Sequence, residues 1–217
     1  MDFRNYDAYI VNEKGNFVRI DRNNQPDKLV IENSKTGKVE GNYNFNDPVN
    51  DTKAIEEGII TEVIFITKED IDLEMKIGLT GREKETSLTF IERESRPIGD
   101  ESVLSGTSNG QLDFKNGGMN ISPVGLHLVN GTAYNDYDYG NFLWGQAGTR
   151  LGFSPSILSD AAHLNNAVNG RSDNPGISTG ILDSPEDQRA IRNGSYYPNQ
   201  PPKIKQSAGD PTKWIKN

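Results

Sequence analysis

The chain has 217 residues, enough to bury a core as one large or two small domains, with a third of them apolar and a mean hydropathy of −0.69. No apolar run approaches the ~18 residues of a membrane span, and the absence of cysteine excludes a disulfide framework, a thiolate zinc site and a cysteine nucleophile. The net charge of −8 is uneven, about −8 over residues 1–130, about −3 over 131–197 and about +3 over the last twenty, which argues against a broad basic face for gripping duplex nucleic acid.

The opening MDFRNYDAYIVNEKG sets charges where a secretory signal needs an uninterrupted apolar stretch, so export is expected to depend on another carrier. Residues 6–22 alternate about an Asn-Glu-Lys-Gly turn and predict a β-hairpin. A second pair, LVIE and KVEGNYNF, follows about SKTG, after the turn residues Asn23-Asn24-Gln25-Pro26-Asp27. The region is read as a structural cap and is assigned no site.

In residues 51–77 the β-branched cluster Ile59, Ile60, Val63, Ile64, Phe65 and Ile66 predicts a buried strand, and Lys68 to Lys76 a helix. Glu69, Asp70, Asp72 and Glu74 lack the spacing of a calcium loop and read as a solvated helix face. Ser87 to Glu92 is taken as a strand. The Gly/Ser/Asn-rich stretch 99–118 reads as a join, and Val124 to Val129 as a strand in which His127 serves packing.

Most of the chemistry-bearing residues lie between Tyr137 and Tyr197. In GTAYNDYDYGNF, glycine and asparagine bring backbone near the surface beside Tyr134, Tyr137, Tyr139 and Phe142, rings able to stack on bases or sugars or to pack a loop. NFLWGQAGTRLGF places Gly145 and Gly148 on one side of a helix, where another backbone can approach. Ser154-Pro155 starts a helix expected to reach Asn169-Gly170, with Ile157, Ala161, Leu164 and Val168 facing the core. His163 lies on the other side with Asp160, Asn166 and Ala167, either in solvent or facing a second element across a cleft. Ser184-Pro185-Glu186-Asp187 starts a last helix, ending at Gly194. Asp187 is placed to cap it, and Arg189 and Arg192 share one side as a candidate anion pocket.

DYGNFLWGQAGTRLGF, AAHLNN and LDSPEDQRAIRNG together resemble the bacterial polymorphic toxin type 44 family, the variable toxic tips at the C-termini of Rhs-repeat and related secreted proteins. Order and spacing carry the resemblance over residues 131–197. YIVNEKGNFVRIDRNNQPD is similar to the segment that follows the repeat shell in the Bacteroidetes branch. The positions matching the motif are Asp138, Gly140, Asn141 and Gly145, then His163, then Asp183, Asp187, Gln188 and Gly194. The resemblance implies an effector for competition between bacteria, a predicted ribonuclease, a cognate immunity protein as partner, and delivery by a dedicated secretion system with a parent Rhs-type shell.

Two functions stand beside each other. In a metal-independent and cofactor-free ribonuclease, His163 is general base or acid, Asp187 orients it, and Arg189 or Arg192 stabilises the phosphorane. Asn141 and Gln188 are further substrate-binding candidates, and Tyr137, Tyr139 and Trp144 would stack bases of single-stranded RNA. In a peptidoglycan hydrolase, Asp138 pairs with Asp187 or Asp183 across a glycosidic bond. The predicted fold is α+β: a β-rich N-terminal part of short antiparallel strands over residues 1–120, a compact, mainly helical toxin module over 121–197 with helices beginning near Asn141, Ser154 and Ser184, and an extended tail over 198–217 tacked down by Trp214.

Overall fold

The computed structural model describes residues 7–23, 25–95, 110–114, 121–169 and 182–198, with 164–169 as backbone alone. The expected join over 99–109 and 115–118, the helix end at Gly170, the side chains of Leu164, Asn165, Asn166, Ala167 and Val168, and the tail from residue 199 with Trp214 lie outside the described residues. The fold is α+β. Packing groups the chain into two compact units, one drawn from residues 1–71 and 120–139, the other from 72–119 and 140–217. Residues 121–139, expected from the sequence to belong with residues 140–197, thus pack with the N-terminal strands.

The first unit is a seven-stranded sheet with one helix. Its strands are β1 (Asp7–Asn12), β2 (Phe17–Arg22), β3 (Lys28–Glu32), β4 (Val39–Phe45), β5 (Glu62–Phe65), β6 (Gly125–Val129) and β7 (Thr132–Tyr134). Their order is β2-β1-β3-β4-β7-β6-β5. Both expected hairpins, β1–β2 and β3–β4, are antiparallel, as is β6–β7. However, β1–β3, β4–β7 and β5–β6 are parallel, so the sheet is mixed where short antiparallel strands alone were expected.

The first hairpin turn also reaches β5, at the other end of the strand order. Asn12 Oδ1 accepts from the amides of Lys14 and Asn16, both at 3.0 Å, which shapes the turn. Val63 N then donates to Gly15 O at 2.7 Å, and Asn16 bridges Glu62. Gly15 sits at φ +85°, and a Cβ there would collide with the Val63 carbonyl, so only glycine fits. One face of the sheet packs Tyr9, Val11, Leu29, Ile31, Phe45, Val63, Leu126, Leu128 and Ala133 against Ile55 and Ile60. Ile10 and Val30 are buried on the other face. Burial on both faces is why these strands read as unbroken apolar runs, YIV and LVI. Each such side chain contributes about 1.5–3 kcal/mol of transfer free energy.

The helix of this unit, α1 (Pro48–Glu56), was missed in the sequence. It starts as the two Ser-Pro helices do, with Asp47 accepting from Asn50 N at 3.1 Å and proline in the first turn.

The remaining helices are α2 (Lys68–Gly78), α3 (Ser87–Glu94), α4 (Asp136–Arg150), α5 (Pro155–Asn169) and α6 (Pro185–Tyr196). The division between the units falls inside α2 and α4. Ser87 to Glu92 forms α3 and not a strand: Thr86 caps it by accepting from Thr89 N at 3.2 Å, and Phe90, Ile91 and Glu94 are buried. Its Thr and Ile suggested a strand, but the cap and one-sided burial prevail. Helix α4 begins five residues before the expected Asn141, because Asn135 Oδ1 accepts from Asp138 N at 2.9 Å and supplies the cap. DYDYG is therefore helix and not loop.

In the second unit α4 and α6 cross with their backbones in contact. A Cβ on Gly145 would strike the Ile191 carbonyl, and one on Gly194 the Phe142 carbonyl. Around them Gln146 Nε2 donates to Gly194 O at 3.0 Å and Thr149 Oγ1 to Ser195 O at 3.2 Å. Gly148 instead admits Leu158 of α5. Among the described residues no helix is long and apolar enough to cross a membrane.

Candidate functional site

The second unit gathers one polar group around the start of α6. Ser184 caps this helix: its Oγ accepts from Asp187 N at 3.2 Å and donates to Asp187 Oδ2 at 2.8 Å. Asn141 Nδ2, from α4, donates to Asp187 Oδ1 at 2.6 Å. Asp183, one residue before the cap, lies beside the Asp187 carboxyl, whose charge bears on it. Its Oδ2 accepts from Gln188 Nε2 at 2.8 Å. Gln188 is buried, and its amide is engaged at both ends by Ser159 of α5. Its Nε2 donates to Ser159 O at 3.2 Å, and its Oε1 accepts from Ser159 Oγ.

His163 follows Ser159 by four residues and so lies one turn away on the same side of α5. The inward side of that helix is set by Leu158, which is fully buried, while Ile157 is 53% exposed and Ala161 is also exposed. The expected core stripe through Ile157 and Ala161 is therefore wrong. A single apolar repeat at 157, 161, 164 and 168 was followed where packing chose Leu158. His163 is half-buried, and its Nδ1 is enclosed without a hydrogen-bond partner among the described residues. Asp187 does not orient it, because Asp187 is held by Ser184 and Asn141.

Burial, then the neighbouring Asp187 carboxylate, pushes the Asp183 carboxyl up to about 7. A carboxyl in that range exchanges protons near neutrality, as a general acid or base must. Arg189 is exposed and Arg192 half-buried on α6. Trp144 is half-buried, and its indole N–H donates to Ser95 Oγ at 2.8 Å.

The first unit holds a second polar group, about Asp138. This carboxylate is buried and accepts at Oδ2 from Asn46 Nδ2 at 2.8 Å and Asn135 Nδ2 at 3.3 Å. Asn135 Nδ2 also donates to Asp51 Oδ1 at 2.8 Å, and Asp47 N to Asp51 Oδ2 at 3.4 Å. Asp51 is raised to about 8 by burial, then by the charges of Asp138 and Asp47. Tyr139 is fully buried, stacked on His127 at 4.5 Å, so its ring is not displayed to a substrate. His127 is neutral by its bonds: Nδ1 faces Tyr134 O at 3.4 Å, and Nε2 accepts from Ser122 N at 3.1 Å. Tyr137 is 49% exposed. Among the described residues no three His, Asp or Glu side chains are grouped to hold a metal ion.

Of the residues singled out in the sequence, Asn141, Asp183, Asp187 and Gln188 thus meet in one network. Asp138 and Tyr139 belong to the other group. Sequence reasoning missed Ser159 and Asp51. Ser159 could have been found as the residue one turn before His163, whereas nothing local marks Asp51. No protein-family model, no curated protein and no solved structure matches this chain.

Proposed function

We propose that the chain is the toxic tip of a secreted bacterial polymorphic toxin and that it cuts single-stranded RNA in the cell it enters. The observation that carries this reading is the neighbouring carboxyls of Asp183 and Asp187 at the head of α6, held by Gln188, Asn141 and Ser184, on the helix that Ser159 of the His163-bearing helix binds. RNA cleavage without a cofactor needs a base for the 2′-hydroxyl and an acid for the departing 5′ oxygen. In this proposal His163 takes the 2′-hydroxyl proton, the new 2′ oxygen–phosphorus bond forms as the 5′ oxygen leaves, and Asp183 protonates that oxygen. Arg189 offsets the charge on the phosphoryl group. An immunity protein and a secretion machine are the partners that the sequence resemblance adds.

The wall-hydrolase reading has less support. Glycosidase carboxyls stand roughly 5–5.5 Å or 6.5–9.5 Å apart to admit the sugar carbon or a water, whereas Asp183 and Asp187 interact directly with each other. Asp138, the other candidate, is 2% exposed and already bound by two amides.

The purified chain, given end-labelled single-stranded RNA and, separately, peptidoglycan sacculi, is expected to cut the RNA to 2′,3′-cyclic phosphate ends and to leave the sacculi whole. His163→Ala and Asp183→Asn should each slow cutting by about 10²–10⁴-fold. Solubilised sacculi beside intact RNA would contradict the proposal.

A further inference from the structure

The two carboxyls of the pair are held by different partners. At Asp187 both oxygens accept, Oδ1 from Asn141 and Oδ2 from Ser184. A carboxylate is an acceptor at every lone pair, whereas a protonated carboxyl must donate at one oxygen. At Asp183 the described donors reach only Oδ2, from Gln188. The Gln188 amide can be oriented in one way alone. Its nitrogen faces two acceptors, Ser159 O and Asp183 Oδ2, and its oxygen faces the Ser159 hydroxyl. Turning the amide over would set its oxygen against a carbonyl and a carboxyl oxygen, leaving buried groups unsatisfied at about 1–3 kcal/mol each.

We propose that Asn141 and Ser184 hold Asp187 as the standing carboxylate, and that Gln188, clamped by Ser159, is a positioning residue that keeps the proton of Asp183 on Oδ1. This rests on the acid–base reading above and assigns its roles. Gln188 does not bind substrate, and neither does Asn141, because their amides are committed to the carboxyls. The proton on Asp183 Oδ1 passes to the departing 5′ oxygen as its bond to phosphorus breaks. The proton that His163 accepted from the 2′-hydroxyl goes to water, and water returns a proton to Asp183. Two adjacent carboxylates repel, which favours that return.

Among the described residues, the charged groups bearing on Asp183 from α6 are Asp187 and Glu186, both raising it. Helix α5 brings His163 one turn from Ser159, with Asp160 about a third of a turn aside, and α4 brings the uncharged Asn141. Gln188 acts in the opposite sense and lowers Asp183, because it donates to the oxygen that bears charge when the proton leaves. Its removal therefore has a direction that loss of packing alone would not produce.

The test is a pH titration of the full chain labelled with ¹³C at aspartate Cγ, followed by NMR. The wild type is expected to show two aspartates raised far above the usual range, Asp51 at about 8, which disappears in Asp51→Asn, and a second near 7, which disappears in Asp183→Asn. In Gln188→Leu that midpoint should rise by about one pH unit, the equivalent of one hydrogen bond to a charged group. Ser159→Ala, the milder change and the decisive one if Gln188→Leu fails to fold, should raise it by less. A midpoint near 7 that survives in Asp183→Asn beside that of Asp51, or a midpoint unmoved in every folded variant, overturns the proposal. Because this readout needs no RNA, a correct titration in a chain that cuts no RNA would uphold the proton placement and remove only the ribonuclease reading.

Discussion

Asp51 is the residue whose burial works most plainly against its own charge. Its carboxyl has an ordinary value of 3.8 and is held at about 8 by burial first and then by Asp138 and Asp47. Between these values the folded chain keeps a proton that the unfolded chain has released, so folding stability falls as pH rises through that window and is unaffected by Asp51 below it. Asp51→Asn removes the titration while keeping an acceptor for Asn135. Relative to the variant, the wild type is expected to lose melting temperature steadily from about pH 4 to pH 8, by about 2–4 °C for each kcal/mol of the difference. Melting curves that stay parallel across that range would show that Asp51 is ionised in the fold.

At the scale of elements, the crossing of α4 and α6 is set by two glycines. In an exposed helix, replacing glycine by alanine gains about 1 kcal/mol of helix propensity. Here the new methyl would meet a backbone carbonyl of the other helix, which cannot yield as a side chain can, and overpacking costs about 1–3 kcal/mol or more. The collision outweighs the propensity. Gly145→Ala and Gly194→Ala are expected to lower the melting temperature by several degrees, whereas Gly58→Ala, with open space around it at φ +71°, should show only a backbone cost of about 1 kcal/mol. Unchanged melting in the first two would mean that the helices stand further apart than described.

This crossing was partly legible in the sequence: of the two glycines three apart in NFLWGQAGTR, Gly145 meets the backbone of α6 as expected, while Gly148 meets the Leu158 side chain. The starts of α5 and α6 were legible too, since Ser-Pro carries a cap and a fixed φ in two residues. Asp47-Pro48 carries the same signal and was overlooked under the strand pattern that follows it. The parallel pairings were not legible, because hairpin turns are local whereas β4 meets β7 across more than eighty residues. The site divided along the same line. Asp187 as a cap is visible in four consecutive residues, but the engagement of Asn141 and Gln188 by carboxyls depends on helices brought together by packing, so both looked like free ligands.

For the whole molecule, the net charge of −8 gives no broad attraction for RNA, so the proposed toxin must rely on a small site and not on a field. A carboxyl pair holding one proton suits that economy, because it supplies acid chemistry without positive charge. Asp183 and Asp187 lie in the second unit, while the buried group around Asp51 and Asp138 belongs to the first, where it satisfies the turn between β7 and α4.

The most direct measurement is induced expression in a bacterial host of wild type and Asp183→Asn, each in cytosolic and exported forms, followed by growth and by total RNA on a gel. The account predicts arrest from the cytosol with degraded RNA, abolished by Asp183→Asn, and no lysis by the exported form. Killing by the exported form alone, with RNA intact, would contradict it.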